Sequence, residues 1–351
     1  MKTINVGIIG CGKIAQYRHI PEYCENEHTK IAGFFDLDKK RTRELAEKFD
    51  AKAYSSYLEL LANQDIEAVS VCTTNNTHAE ITIAALNAGK HVLCEKPMAA
   101  SLEDCQAMVD TSRQQGRILM IGQNQRLTKT HRYARKQIAN GLIGEIVSFR
   151  TTFGHSGPEN WSIDPGADTW FFKKDLAVMG VMADLGIHKT DLIHYLTGQR
   201  IVETTARLFT LNKRDKIGNL IDVDDNAFCI YLLEGGAVGT MHASWTFNGA
   251  EDNSTIIYGT KGIMRIYDNP DYSIQVNILE NEKILYDIDR IQTNVSQTKS
   301  GVIDAFVDSI LHKKEPEISS QSVLDSMKVV FASIKSSETG KPVTIAYDRV
   351  A

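Results

Sequence analysis

Short apolar runs alternate with amphipathic stretches up to about residue 122. The runs Ile4–Ile9, Ile31–Phe35, Ala68–Cys72, His91–Cys94 and Arg117–Ile121 predict strands. Between them a helix opens near Gly12 and passes Tyr17, where Pro21 is expected to kink or end it. A charged helix covers about Lys39–Phe49, and Ser56 with Glu59 forms a capping box before Tyr57–Ala62. Thr77 with Glu80 is expected to cap a further helix that Gly89 stops, and Ser101–Gln115 is the last of the series. Strands alternating with helices of this length predict β-α-β units on a parallel sheet.

The rhythm changes after residue 140. Glu145–Phe153, Val202–Leu211, Ala227–Leu233, Val238–Trp245, Ser254–Tyr258, Ile263–Tyr267 and Tyr272–Leu279 read as strands joined by short turns. Helices are few: one near Val181–Tyr195, then Ile303–His312 and Gln321–Ser337. This half predicts an antiparallel sheet with helices on one face, an α+β domain. The expected division is 1–122 and 123–351, without internal repeats.

The 351 residues carry a net charge of -5, and the densest basic cluster, Lys39-Lys40-Arg41, is flanked by acids. A nucleic-acid partner is therefore not expected. The six cysteines, at 11, 24, 72, 94, 105 and 229, form no C-x-x-C, so reduced thiols fit better than a zinc site or disulfides. No segment has the length of a membrane span, and the N-terminus enters a strand without an apolar leader. A soluble, cytoplasmic protein with no membrane partner and no metal is the expectation.

The first strand runs into Gly10-Cys11-Gly12-Lys13-Ile14-Ala15, which fits G-x-G-x-x-[G/A]. Gly10 permits a tight turn, Gly12 lets backbone approach a pyrophosphate, and Ala15 keeps the helix close to the sheet. The phosphates would rest on a helix N-terminus, whose free N–H groups and dipole favour anions. Asp36, at the end of the second strand, stands where a carboxylate accepts hydrogen bonds from the adenosine ribose. Such a contact contributes roughly 1.5–3 kcal/mol and repels the 2′-phosphate of NADP. NAD is the expected cofactor; Lys39, Lys40 and Arg41 leave NADP open. Lys13 and Ile14 in the turn, with Thr73, Asn75 and His78 after the strand Ala68–Cys72, are further candidate contacts. Turn and cap chemistry alone also accounts for Thr73 and Asn75.

Glu95-Lys96-Pro97 follows another strand at the edge where such folds bind ligands, which adds Glu95 and Lys96 to the cofactor candidates. Pro97 holds the preceding residues extended and admits a cis bond. A lysine there can stabilise a developing alkoxide; the alternative is a turn with a solvated lysine. In Met182–Asp191, helical spacing puts Asp184, His188 and Asp191 on one face. An aspartate and a histidine four apart suit acid/base work, but a helix cap with a buried, satisfied histidine fits the same spacing. A metal site lacks a third ligand.

Together these motifs resemble the Gfo/Idh/MocA family (glucose–fructose oxidoreductase, inositol dehydrogenase, rhizopine catabolism) over essentially the whole chain. The matching residues are Gly10-x-Gly12-x-x-Ala15, Cys94-Glu95-Lys96-Pro97 and Asp184-x-Gly186-x-His188-x-x-Asp191. The resemblance implies an N-terminal Rossmann NAD(P)-binding domain and a C-terminal α+β domain. The latter has a large, mostly antiparallel open sheet that binds substrate and often mediates homodimers or homotetramers. It implies hydride transfer between nicotinamide and a hydroxyl-bearing carbon of a sugar, cyclitol or sugar derivative. It also implies that Lys96, Asp184 and His188 converge on the nicotinamide: His188 as general acid/base, Lys96 as electrostatic and relay partner, Asp184 orienting the substrate hydroxyl.

One departure is Met179-Gly180-Val181-Met182-Ala183, where many relatives carry a glycine run. Relatives place substrate loops at Phe153–Phe172, so His155, Trp161 and Trp170 are candidate substrate contacts. Arg126 is a candidate for an anionic substrate. Tryptophans in a loop serve equally as packing anchors. The competing readings are an NAD-dependent glycosidase of the same fold and a non-catalytic sensor of NAD or sugar; the intact set Lys96, Asp184 and His188 argues against the sensor.

Overall fold

The computed structural model describes residues 2–279, 282–290 and 299–347. Two compact units divide them. The first holds the chain up to Asn124, Asp175–Val178 and residues 299–324; the second holds Gln125–Lys174, 179–290 and 325–347.

In the first unit the apolar runs become β1 (Ile4–Ile9), β2 (Thr29–Phe35), β3 (Lys52–Ala53), β4 (Ala68–Val71), β5 (His91–Cys94) and β6 (Leu119–Ile121). All pairs are parallel, in the order β3-β2-β1-β4-β5-β6. β1 and β4 are buried nearly throughout, as strands covered on both faces must be. The order reverses between β1 and β4, and ligands of such sheets bind beyond the carboxyl ends at that point.

The helices are α1 (Ile20–Glu25), α2 (Lys39–Lys48), α3 (Tyr57–Ala62), α4 (His78–Asn87) and α5 (Leu102–Gln115). Asp38, Ser56 and Ser101 cap α2, α3 and α5 by accepting first-turn N–H bonds. Pro21 does not end its helix. It lies in the first turn of α1, directly after a π turn over Ala15–His19, where its missing N–H is cheapest. The expected Thr77/Glu80 cap is also absent: Thr77 bonds to Thr73 and Thr74, and Glu80 accepts from Tyr57.

The helix Val302–His312, assigned to the second half on sequence grounds, packs with the first unit. Asn26 Nδ2 donates to Asp304 at 2.8 Å, and the buried Glu22 carboxylate accepts from the Ser300 N–H at 2.7 Å and its hydroxyl at 2.6 Å. A buried carboxylate requires such donors, and nothing in the local sequence pattern announces so distant a partner.

The second unit is built on a nine-stranded sheet, ordered β14-β13-β12-β11-β7-β10-β9-β8-β15. Its strands are β7 (Ile146–Gly154), β8 (Ile201–Phe209), β9 (Asn226–Leu233), β10 (Val238–Ser244), β11 (Thr255–Gly259), β12 (Gly262–Ile266), β13 (Ile274–Ile278), β14 (Lys283–Tyr286) and β15 (Val343–Thr344). β7 and β10 pair in parallel and the other pairs are antiparallel, so the sheet is mixed. Side chains alternate along β9: Ala227, Cys229 and Tyr231 are buried, while Phe228 and Ile230 are exposed.

This unit also holds the helices α6 (Lys129–Ala139) and α7 (Ile187–Thr197) and residues 325–339 of the helix Ser320–Thr339. Helix α6 is not apparent from the hydrophobic pattern, because Ile138 is the one large apolar residue among the side chains it buries, beside Thr130, His131 and Ala134. Its signal is Thr128, whose hydroxyl accepts from the His131 N–H and starts the helix. No helix among the described residues is long and apolar enough to cross a membrane.

Candidate active site

At the carboxyl end of β1, Gly10 adopts a φ of +89°, and a Cβ there would come within 2.6 Å of the Cys72 carbonyl. Only glycine meets both demands. Gly12 faces open space, which leaves room for a diphosphate against the backbone. The next helical turns begin at Lys13 and Ile14, and first-turn N–H groups have no partner within their own helix. Lys13 Nζ lies 3.6 Å from the centre of the Tyr17 ring.

Asp36 folds back on this turn. Its Oδ2 accepts from the Cys11 N–H at 2.6 Å and its Oδ1 from the Asp38 N–H at 2.8 Å. Each oxygen keeps further lone-pair capacity for a ribose hydroxyl. The neighbouring cations are engaged locally: Lys40 lies 3.8 Å from Glu44 and Arg41 3.6 Å from Asp38. The glycine turn, the helix start and a carboxylate at the end of β2 fit an adenine dinucleotide.

The loops after β4 and β5 are tied to each other. The buried His78 ring places Nδ1 2.7 Å from the Pro97 carbonyl and Nε2 3.2 Å from the Thr73 carbonyl. Burial pushes its pKa down, while the two carbonyl contacts oppose that shift. Asn75 Nδ2 donates to the Ala177 carbonyl at 2.8 Å, and Thr73 accepts from the Thr77 hydroxyl. His78 and Asn75 thus hold the loop in shape.

The Lys96–Pro97 peptide is cis, and Lys96 is half-buried after β5. Glu95 is buried, with Oε1 2.9 Å from His19 Nε2, while His19 Nδ1 reaches Ser70 at 3.0 Å. Burial favours the neutral carboxyl, but the His19 hydrogen bond and the His19, Arg18 and Lys96 charges outweigh it and hold Glu95 at about 2. An ionised Glu95 also accepts from the Lys96 N–H at 3.2 Å. No sequence signal singled out His19, because its partner lies 76 positions away.

In the second unit, Asp184 lies within a π turn, Met182–Gly186, that runs directly into α7. The Asp224 carboxylate starts the turn by accepting from the Gly180 N–H at 2.9 Å and the Met182 N–H at 2.7 Å. Gly180 is irreplaceable in its run: a Cβ there would come within 2.0 Å of the Asp224 carbonyl oxygen. Asp184 Oδ2 accepts from Trp245 Nε1 at 2.9 Å. His188, one turn on and 7% exposed, has the Phe153 ring centre 6.0 Å away.

Asp191 has a different partner. Arg126, 5% exposed, grips its carboxylate with both Nε (2.7 Å) and Nη2, and Ser326 adds a hydroxyl at 3.0 Å. Arg126 is thus paired with Asp191 inside the second unit. Lys189, fully buried beside His188 in the chain, donates to the Asn253 carbonyl at 2.9 Å, and burial lowers it to about 7 against the opposing charges of Asp252 and Glu251.

His155 is buried at the end of β7, its Nδ1 accepting from the Gly157 N–H at 3.0 Å. Trp161 and Trp170 are half-buried; Trp170 stacks on Phe171 with ring centres 3.9 Å apart, and Trp161 meets it edge-on at 5.3 Å. Two lysines pin this loop: Lys213 pairs with Glu159 and donates to the Ser156 carbonyl, and Lys216 reaches Asp168 at 3.3 Å.

A family model described as an oxidoreductase family with an NAD-binding Rossmann fold matches residues 4–123. One described as the GFO/IDH/MocA C-terminal domain matches 131–265. The chain is 32% identical to D-glucoside 3-dehydrogenase of Escherichia coli, over 71% of this chain and 72% of that protein. It is 29% identical to levoglucosan dehydrogenase of Pseudarthrobacter phenanthrenivorans, over 75% and 73%. Myo-inositol 2-dehydrogenase of Thermotoga maritima is also 29% identical, over 74% of each. Among solved structures, levoglucosan dehydrogenase in complex with NADH and levoglucosan superposes with a TM-score of 0.85 at 25% identity, covering 99% of this chain and all of that one.

Proposed function

Because the chain belongs to the Gfo/Idh/MocA oxidoreductase family, whose first domain is an NAD-binding Rossmann fold, we propose that it interconverts a secondary hydroxyl and a ketone on a sugar, cyclitol or sugar derivative. The observation that carries this reading is the Met182–Thr197 segment, which buries a carboxylate and an imidazole one turn apart. The names of the relatives, a glucoside, a levoglucosan and an inositol dehydrogenase, support the substrate class.

When bound, the nicotinamide supplies the hydride acceptor or donor. Gly10, Gly12, Lys13 and Ile14 hold the diphosphate and Asp36 the adenosine ribose; the Thr73, Asn75, His78 and Glu95 loops shape the remainder of the cofactor site. His188 takes the proton of the substrate hydroxyl in oxidation and returns it in reduction. Lys96 stabilises charge on that oxygen and relays its proton. Asp184 accepts a substrate hydroxyl and orients it. Trp161 and Trp170 offer ring faces to the C–H side of the substrate, and His155 lies at the edge of the same loop.

Asp36 favours NAD. Asp36→Ser is expected to raise KM for NAD and improve relative use of NADP, checked by kcat/KM with each cofactor; an unchanged ratio contradicts the role. The experiment that tests the function is NADH formation with NAD across inositols, aldoses, anhydrosugars and glycosides. Turnover of one compound, lost in Lys96→Ala with NAD binding retained, is expected.

The open sheet face carries Phe228, Ile230 and Val238 exposed, with Phe228 stacked on His242 at 3.8 Å and near Phe209 at 6.2 Å. A patch of this kind supports a homodimer or homotetramer closed through that face. Light scattering that gives one chain per particle at working concentration would contradict this. All six cysteines are unpaired, which supports a reducing, cytoplasmic setting.

A further inference from the structure

The protein has three tryptophans, and all three meet one ring. Phe171 has Trp170 stacked on it at 3.9 Å, Trp161 edge-on at 5.3 Å and Trp245 edge-on at 6.5 Å. The three differ in what surrounds them. Trp161 and Trp170 are half-buried on the loop after β7, whereas Trp245 is fully buried just past the end of β10. Its backbone N–H donates to the Asp225 carbonyl at 2.9 Å, and Phe172 packs on its ring with centres 6.0 Å apart. A ring so enclosed has one rotamer available.

The indole N–H of this immobile ring donates to Asp184 Oδ2 at 2.9 Å. An indole is a donor only, so it can serve a carboxylate but cannot compete with it for a substrate hydroxyl proton. Asp184 itself is 5% exposed, and a carboxyl group so enclosed needs donors to satisfy its oxygens and fix their direction. One residue therefore joins two functions. Its N–H sets the carboxylate, and its ring backs the Phe171 stack on which Trp161 and Trp170 stand.

We infer that Trp245 is a positioning residue: it fixes the Asp184 carboxylate and anchors the aromatic shelf of Trp161, Trp170 and Phe171, so that a substrate ring is held by its C–H face and by one hydroxyl together. The inference rests on the proposed sugar or cyclitol reading for its substrate, though not for the hydrogen bond. The class it selects is a six-membered polyol or pyranose ring with a continuous C–H face, since a linear polyol offers no flat face to the shelf.

Two measurements test it. In protein labelled with nitrogen-15 at the indoles, three indole N–H signals are expected, and Trp245→Phe identifies one by its loss. In Asp184→Asn the Trp245 signal moves further than those of Trp161 and Trp170. A Trp245 signal left in place overturns the inference, and this readout requires no turnover. With the ring substrate found in the panel, Trp245→Phe, which keeps an aromatic ring but removes the N–H, raises KM by about 10-fold. The dissociation constant for NADH stays at the wild-type value. The effect of Trp245→Phe largely vanishes in an Asp184→Asn background, because the contact it removes is already altered there. An unchanged KM in Trp245→Phe, or losses that simply add in the double variant, overturns the positioning role. Failure of the wild-type protein to oxidise any panel compound counts against the proposed function instead, and the indole signals still decide the contact.

Discussion

Replacing His188 by alanine is expected to lower kcat by about 10²- to 10⁴-fold, the range over which positioned acid/base groups act. The dissociation constant for NAD should change little. The reason lies in where the residue sits: in the first turn of α7, one turn beyond Asp184 and beside the Phe153 ring, in a unit distinct from the glycine turn. Removing the imidazole takes away the proposed proton acceptor without disturbing Gly10, Gly12 or Asp36. Steady-state kinetics paired with NAD titration checks this. Retained turnover would move the acid/base role elsewhere, whereas equal losses in turnover and NAD affinity would indicate damage to the fold.

The second large effect concerns stability. Asp191→Ala should destabilise the second unit by about 3–5 kcal/mol, because it leaves the Arg126 guanidinium buried without its counter-ion. It also removes the acceptor for the Ser326 hydroxyl. The melting temperature should fall by roughly 10 °C at this domain size. A double replacement, Arg126→Met with Asp191→Leu, should recover much of the loss, since apolar side chains of similar volume avoid the uncompensated charge. If Asp191→Ala melts like the wild type, the pairing contributes no stability.

The same pair illustrates what the sequence could and could not express. Helical spacing placed Asp184, His188 and Asp191 along one stretch, and that stretch is helical. Spacing could not reveal that Asp191 turns to Arg126, 65 positions away, while Asp184 receives an indole N–H from residue 245. Partners that distant leave no local periodicity. The parallel sheet was legible because each buried strand is a continuous apolar run bounded by turn residues. Helix α6 was not, because a single large apolar residue, Ile138, is buried along it, with Thr130, His131 and Ala134. The parallel pairing of β7 with β10 was equally hidden, because side chains alternate between faces in parallel and antiparallel strands alike. In the cofactor region the glycine turn was plain, but the carboxylate–imidazole pair Glu95–His19 joins two segments whose relation only folding creates.

The central claim is direct hydride exchange between a ring hydroxyl carbon and the nicotinamide, and it is tested by following a deuterium. The substrate found in the panel, carrying deuterium on its reacting carbon, is incubated with NAD and the protein, and the reduced cofactor is analysed by NMR. The expected result is one deuterium on C4 of the dihydronicotinamide for each ketone formed, with transfer slowed in His188→Ala in step with its kcat. Release of a free sugar from a glycoside, without accumulation of reduced cofactor or ketone, would contradict the claim and mark the protein as a hydrolase that uses NAD only transiently.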